Sequence, residues 1–416
     1  MNFLSVVMLG IIYFMLFNTL LFLNLFYSKR KHLMLDPKPT KHPLVSIIIP
    51  AWNEGESIKN SIISSLALEY PKKEIIVVND GSTDNTREVC EEFEKKGLIQ
   101  LINKKNGGKA SAMNAGLKVA KGEYVCCMDA DSFFTRSTLK NMVGYMEDSE
   151  VGAVTTSMKV YKPKGLLQKI QWMEYIFAIY LRKLQTYIDA LYVVPGPGGL
   201  YRTSLLKKLG GFDENSITED MEIAFRIQQA GYKIKNSLNA IVNTVAPNKL
   251  VPLVKQRIRW YAGFFDNVTK YRTMMLNPKY GSLGMFMIPT ATLGVGVLLF
   301  SMLRALYLIL DGAILPIKSL FLVGFDWNLF IQGIKDLMVF NPDYMTFFGI
   351  VLAIIGFLVI YLSLKTSGEN VEFKSRYSHY AVYLIGYSFL MTLFWVCSIV
   401  FIVLRGKNKG WKGDKI

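Results

Sequence analysis

Carboxylates recur in this chain at positions where acids can do chemistry. The stretch "MDADS" (128–132) sets Asp129 and Asp131 two residues apart at the end of a hydrophobic run. On a strand that spacing sends both side chains to one face. Two carboxylates so placed repel each other unless a cation lies between them. Mg²⁺ or Mn²⁺, bound by one or two carboxylates and completed by substrate phosphate oxygens, suits such a pair. An Asx-rich turn that caps the helix following at "TRSTLK" accounts for the same residues. A second apolar run ends in "VNDGSTDNT" (78–86), where Asp80 reaches the same edge and fits a base or ribose contact. Gly81 permits the tight turn there, and Ser82 and Asp84 read as caps for the next helix.

Three further stretches carry polar chemistry. "NGGKASAMNAG" (106–116) puts glycines and Lys109 at a helix start, which suits either a diphosphate or an exposed loop; it is not a Walker loop. In "QRIRW" (256–260), Gln256, Arg259 and Trp260 fall at i, i+3 and i+4, on one helical face. An arginine can fork onto diphosphate oxygens and a tryptophan can stack on a sugar ring; an interfacial helix meeting lipid headgroups would use the same residues. Finally, "ITEDMEIAFR" (217–226) places Glu219 and Asp220 where a helix begins. The three histidines, His32, His42 and His379, all lie outside the long middle stretch, so a general base there is a carboxylate or another group.

The elements that must position these residues alternate. "LVSIIIP", "EIIVVND", "LIQLIN" and "EYVCCMDADS" read as strands, and each of the first three is followed by a polar loop and an amphipathic helical pattern. Such alternation implies βαβ units and a mostly parallel sheet with helices on both faces. Ligands then bind beyond the carboxyl ends of the strands, where Asn53, Glu54, Asp80, Asp129 and Asp131 collect. A long helix is expected over 164–188, and an amphipathic one over roughly 249–272.

The chain is 51% hydrophobic, and residues 3–27 contain no charge and are followed at once by "SKRKH". That run is long enough to span a bilayer core, which takes about 20 helical residues. The basic cluster after it predicts an uncleaved anchor with the next segment cytoplasmic. Further apolar runs at 283–310, 345–364 and 380–404 predict later spans, while the mixed composition of 311–344 suits an interfacial or channel-side helix. Three later spans would put the basic tail outside, against the positive-inside tendency, unless 311–344 supplies another crossing. The net charge of +16 is concentrated beside these apolar segments, which favours a membrane-flanking role over nucleic-acid binding. Four cysteines without CxxC spacing indicate neither a zinc site nor a disulfide framework.

Taken in order, "NDGS", "DAD", "TED" and "QRIRW" resemble the family 2 glycosyltransferases, and among them the membrane-embedded processive synthases of poly-N-acetylglucosamine, chitin, hyaluronan and cellulose. The resemblance runs from about 44 to 275. It implies an α/β nucleotide-sugar-binding (GT-A-like) domain with a mostly parallel sheet, flanked by transmembrane helices. The implied parts are an anchor over 1–28, a cytoplasmic transferase domain over 44–275, a membrane region over 280–404 and a basic tail over 405–416. By the same resemblance, Glu54 and Asp80 meet the uridine, Lys109 and Asp129 belong to the nucleotide-sugar site, and Asp131 is the direct Mg²⁺ or Mn²⁺ ligand. Glu219 and Asp220 form the catalytic motif, with Asp220 the base; Gln256, Arg259 and Trp260 hold diphosphate and acceptor sugar; "GPGGLYR" (196–202) lines the acceptor site. The implied donor is a UDP-sugar, with UDP-N-acetylglucosamine the best match. The implied product is a β-linked polysaccharide at the cell membrane, made alone, with an export partner or as a homo-oligomer. Transfer of one sugar to a polyprenyl phosphate, giving a lipid-linked product, is the alternative.

Overall fold

The chain is described from a computed structural model over residues 3–323, 327–328, 331, 344–369 and 386–405. Strand β1 (Val45–Ala51) is buried along its whole length, as a strand covered on both faces must be. Its side chains alternate between two cores. Ile47 and Ile49 join one cluster with Ile58 and Ile62, while Ile48 joins another with Met113, Leu117 and Ile223. The first core is closed by α2 (Ile58–Leu66), α3 (Thr86–Glu94) and α5 (Thr138–Val143), the second by α4 (Lys109–Val119), α7 (Thr203–Lys208) and α8 (Glu219–Gln229).

The sheet has eight strands in the order β3-β2-β1-β4-β7-β6-β8-β5. The half containing β3 (Gln100–Lys104), β2 (Lys73–Asp80), β1 and β4 (Tyr124–Cys127) is wholly parallel. β7 (Gly199–Arg202) runs antiparallel to both β4 and β6 (Val151–Val160). β8 (Lys233–Thr244) is parallel to β6, and the short β5 (Ser132–Phe134) is antiparallel to β8. The result is a mostly parallel mixed sheet. One detail corrects the sequence reading: β4 ends at Cys127, so Asp129-Ala130-Asp131 forms the turn between β4 and β5. A turn, not strand alternation, therefore brings the two acids together.

Helix α6 (Gly165–Gln185) links the sheet domain to the apolar helices. Its Trp172, Ile176, Tyr180 and Leu184 share a core with Leu23 and Phe26 of α1 (Phe3–Lys29) and Ile360, Leu362 and Leu364 of α11 (Tyr344–Thr366). The segment after α1 is strapped to the domain as well. Asp36 accepts hydrogen bonds from Tyr145 Oη at 2.7 Å, Asn239 Nδ2 at 2.8 Å and Ser237 Oγ at 2.9 Å. Helix α9 (Leu250–Lys270) packs against α8 and α12 (Tyr387–Arg405).

By length and composition three described helical segments can cross a bilayer: Ser5–Lys29, Leu283–Leu308 and Phe347–Thr366. The second begins with a π-helical turn (Leu283–Met287) that runs into α10 (Ile288–Val323), so residues 311–323 continue this helix. Most of 324–343 lies outside the described residues, as do 370–385 and the basic tail beyond Arg405. The apolar part of α12, Leu390–Arg405, is shorter than the other three.

Candidate active site

The loops after β1 and β2 are laced together at the sheet's carboxyl edge. Asn53 takes a positive φ of 53°; its N–H donates to Ser82 Oγ at 3.0 Å and its Oδ1 accepts from the Thr83 N–H at 2.8 Å. Asp84 Oδ2 accepts from the Gly55 N–H at 3.0 Å, and Thr86 Oγ1 accepts from the Glu54 N–H at 2.8 Å. Glu54, whose carboxylate accepts from Ser57 Oγ, is thereby fixed facing the acids of the β4–β5 turn. Burial raises its pKa, and although the Ser57 bond opposes this, the charges of Asp131, Asp129 and Asp84 add to the rise. Asp131 lies at an exposed point of the turn, yet the surrounding atoms desolvate its carboxyl and, with the charge of Asp129, raise it too.

Asp80 has a different setting. It is buried, and its carboxylate accepts from Lys104 Nζ at 2.6 Å, the Gly108 N–H at 2.7 Å and the Gly107 N–H at 3.0 Å. The backbone donors at the start of α4, which the sequence suited either to a diphosphate or to an exposed loop, are thus engaged by Asp80.

Lys109, the first residue of α4, points to the acids instead. Its Nζ lies 2.5 Å from Asp129 Oδ1 and 3.1 Å from Glu219 Oε1, joining the DAD turn to the start of α8. Gly196 leaves room for this bridge: a Cβ there would stand 2.6 Å from Lys109 Nζ, which would have to shift, and 3.3 Å from both Asp129 oxygens. The Gly196 N–H also donates to Asp220 Oδ2 at 3.2 Å, and the Met221 N–H donates to Oδ1 at 2.8 Å.

The two acids of α8 are driven apart electrostatically. Burial alone would raise Glu219, but Lys109 and Arg259 outweigh it and hold the carboxylate below its ordinary range. Burial and the neighbouring Glu219 charge push Asp220 up to about 6, against the pull of Lys109 and Arg259. One acid of the pair therefore stays ionised while its neighbour titrates close to neutrality, the pattern of a charge stabiliser beside a proton acceptor.

Helix α9 is pressed against the start of α8. A Cβ at Gly263 would lie 2.3 Å from Thr218 Oγ1 and 2.4 Å from its Cγ2, and Asn267 Nδ2 donates to Thr218 Oγ1 at 3.1 Å. This contact brings Arg259 within electrostatic reach of both acids. Gly263→Ala should overpack the junction at a cost of about 1–3 kcal/mol. Thermal unfolding of the purified protein would show it, and an unchanged Tm would mean that the helices are not in tight contact.

Trp260 is backed by Arg257, whose guanidinium lies 4.0 Å from the ring centroid. Arg257 is completely buried and pairs with Glu174 at 2.6 Å; burial would lower its pKa, but Glu174 holds it well above its ordinary value. Nothing in the QRIRW pattern distinguished this arginine. Gln256 faces it as well, its Oε1 accepting from Arg257 Nη1 at 3.1 Å. The expected face of Gln256, Arg259 and Trp260 is thus divided: Arg259 turns to the α8 acids, while Gln256 and Trp260 gather around Arg257.

A cavity of about 420 Å³ opens beside Asp220. Thr218, Asp220 and Trp260 line one part of it; Ala291, Val295 and Leu298 of α10 and Trp395 of α12 line another. The site therefore has two sides. Glu54, Asp129 and Asp131 make an acidic edge toward the sheet, and an aromatic chamber leads from Asp220 toward the apolar helices. The acidic edge fits a divalent cation: its donors are all hard oxygens, and among the described residues Lys109 is the positive charge that pairs with them, at Asp129, with Ser57 and Ser132 donating hydrogen bonds to Glu54 and Asp131. No ready-made set of three acid, histidine or cysteine ligands occurs among the described residues.

Residues 46–210 match the profile of the family described as Glycosyl transferase family 2. The chain is 35% identical over 222 residues to the poly-beta-1,6-N-acetyl-D-glucosamine synthase of Staphylococcus epidermidis, and equally so to that of Staphylococcus aureus. The matched stretch covers 53% of this chain and 54% of each relative, so the chain spans about half the length of the curated relatives it matches. The fold is shared with a mannosyltransferase from Pyrobaculum calidifontis solved with GDP-Man and Mn²⁺. That likeness has a TM-score of 0.55 at 22% identity and covers 83% of this chain and 98% of that one. The sheet and the order of its motifs agree with that match: residues 46–210 resemble a glycosyl transferase family 2 domain.

Proposed function

We propose that the protein is an inverting transferase that moves a sugar, N-acetylglucosamine by preference, from its UDP donor to a growing β-linked polysaccharide at the cytoplasmic face of the cell membrane. The observation that carries this reading is the position of Asp220, between the acidic edge and a chamber running to the apolar helices. The similarity to poly-N-acetylglucosamine synthases supports the choice of sugar.

In this reading Glu54, Asp80 and Asp129 border the donor, and Asp131 with Asp129 holds Mg²⁺ or Mn²⁺. A bound divalent cation supplies charge neutralisation to the donor diphosphate. Arg259 adds its own positive charge on the same side. Asp220 takes the proton of the acceptor hydroxyl, the oxygen bonds to the anomeric carbon, and the bond to the diphosphate breaks with its electron pair leaving on UDP. Displacement from the far face turns an α-linked donor into a β-linkage. Glu219 stays ionised and, held by Lys109, keeps Asp220 a better base than an isolated carboxylate by raising its pKa. Gln256 and Trp260 border the acceptor.

Two measurements test the reading. Washed membranes given Mg²⁺ or Mn²⁺ and a panel of UDP-sugars should release UDP from one donor, and chelation should stop the release. Equal release from every donor, or release indifferent to chelation, would refute it. The pH dependence has a definite sign. Asp220 works only when deprotonated, so kcat/KM should climb as pH rises through about 6 and level off above. Lys109 lowers the pKa of Asp220, so Lys109→Met should displace the climb to higher pH. A climb that stays in place or moves down would remove Lys109 from the account.

A further inference from the structure

The chamber holds a cation that the transfer reaction does not use. Arg182 of α6 is only 8% exposed, and its Nε and Nη2 have no hydrogen-bond partner among the described residues. Its side chain forms part of the chamber wall beside Tyr175, Ala178 and Tyr192. Burial lowers its pKa to about 10, and the ionisable groups that oppose this are the hydroxyls of Tyr175 and Tyr192, not a carboxylate. Arg257, more deeply buried still, has Glu174 at 2.6 Å to balance it. An unpaired buried cation is strongly unfavourable, and what relieves it is an anion that arrives with a ligand.

The rest of the wall indicates what carries that anion. From Arg182 and Asp220 the chamber continues past Ala291, Val295 and Leu298 of α10 to Trp395 of α12, and these surfaces are apolar. A water-borne anion gains nothing from such walls, and a neutral saccharide brings no charge to balance the guanidinium. A phosphate head on a hydrocarbon tail meets both demands. We propose that Arg182 receives the phosphate of the lipid-linked sugar on which the polysaccharide is started, its hydrocarbon chain lying along α10 and α12 while its sugar hydroxyl reaches Asp220 for the first transfer. This rests on the reading of Asp220 as the base at the same chamber, and it assigns the acceptor a chemical class.

Binding can be measured without turnover, on the full chain in detergent, by quenching of tryptophan fluorescence, since Trp260 and Trp395 both line the chamber. The probes are farnesyl phosphate, farnesol, inorganic phosphate and a β-linked N-acetylglucosamine oligosaccharide. Farnesyl phosphate should bind wild type and Asp220→Asn alike and about 10- to 100-fold more tightly than farnesol, the range for a charged hydrogen bond. Arg182→Gln should abolish that preference and Arg182→Lys should keep part of it. Equal binding of farnesyl phosphate and farnesol to the wild type would overturn the proposal without recourse to any variant. So would a preference that survives Arg182→Gln, or inorganic phosphate binding as tightly as farnesyl phosphate. Oligosaccharide binding that alone depends on Arg182 would make it a sugar contact, overturning the lipid assignment while leaving the transferase reading intact. Failure of the transferase reading shows separately, as turnover that persists in Asp220→Asn.

Discussion

Asp220→Asn should lower sugar transfer by about 10²- to 10⁴-fold, the usual contribution of a positioned general base, with donor affinity unchanged. The amide keeps the shape of the carboxyl, and its one oxygen can accept from either the Gly196 or the Met221 N–H, but it cannot take a proton. On the proposed reading donor binding relies on the opposite side of the site, at Glu54 and the DAD turn, so calorimetry with UDP-N-acetylglucosamine should give the same Kd for both proteins. Glu219→Gln makes an instructive partner. It removes one of the two carboxylates that hold Lys109, and it also removes the charge that raises Asp220. Its effect should therefore include a downward displacement of the acid limb, which Asp220→Asn cannot show. Parallel loss of donor binding and turnover in Asp220→Asn would make this residue a binding group instead of a base.

Arg257→Met should be the most destabilising single change near the site. Arg257 is 0% exposed in its side chain and pairs with Glu174 at 2.6 Å, while Tyr387 Oη donates to the same carboxylate at 2.5 Å. The three residues bind α9, α6 and α12 together. Removing one member of a buried pair strands the other and costs about 3–5 kcal/mol. Trp260 also loses the guanidinium that backs its ring at 4.0 Å. A large fall in Tm is expected, and in the surviving fraction the KM for acceptor should rise more than that for donor. The double variant Arg257→Met/Glu174→Leu should recover part of the stability, because it leaves no buried charge behind. A double variant no more stable than Arg257→Met alone would show that the pair is not the main bond between these helices.

How far the sequence disclosed this arrangement varies from element to element. The four strands of the parallel half were legible because runs such as "SIIIP" and "EIIVV" are apolar on both faces, as a covered sheet demands. β8 was not. Its "KIKNSLNAIVNT" buries Asn236 and Ser237 completely, so the polarity that normally marks solvent points inward here. β7 was hidden for another reason: "GPGGLYR" reads as a glycine loop, and only the pairing of Gly199–Arg202 with β4 and β6 makes its end a strand. At the site, residue types told more than contacts. The acids at the carboxyl edge are where alternation placed them in the chain, yet Asp80 is engaged by Lys104 and the amides of α4. Lys109 bridges Asp129 and Glu219, residues 90 positions apart in the chain, a contact that no local pattern can announce. The strap around Asp36 likewise joins segments distant in sequence. Arg182 carried a faint signal, as a charge within a largely apolar helical run, but that its Nε and Nη2 find no hydrogen-bond partner among the described residues is a property of the folded chamber.

The measurement that bears most directly on the central claim is the size of the product. Membranes carrying the full chain would be given UDP-N-acetylglucosamine labelled in the sugar together with Mg²⁺ or Mn²⁺, and the labelled material would be separated by gel filtration after lipid extraction. A polysaccharide synthase predicts label in a high-molecular-weight fraction that grows with time, is cleaved by an enzyme specific for β-linked N-acetylglucosamine, and is missing with Asp220→Asn. Label confined to a lipid-extractable product bearing a single sugar would contradict processive synthesis and leave a transferase that loads a lipid carrier.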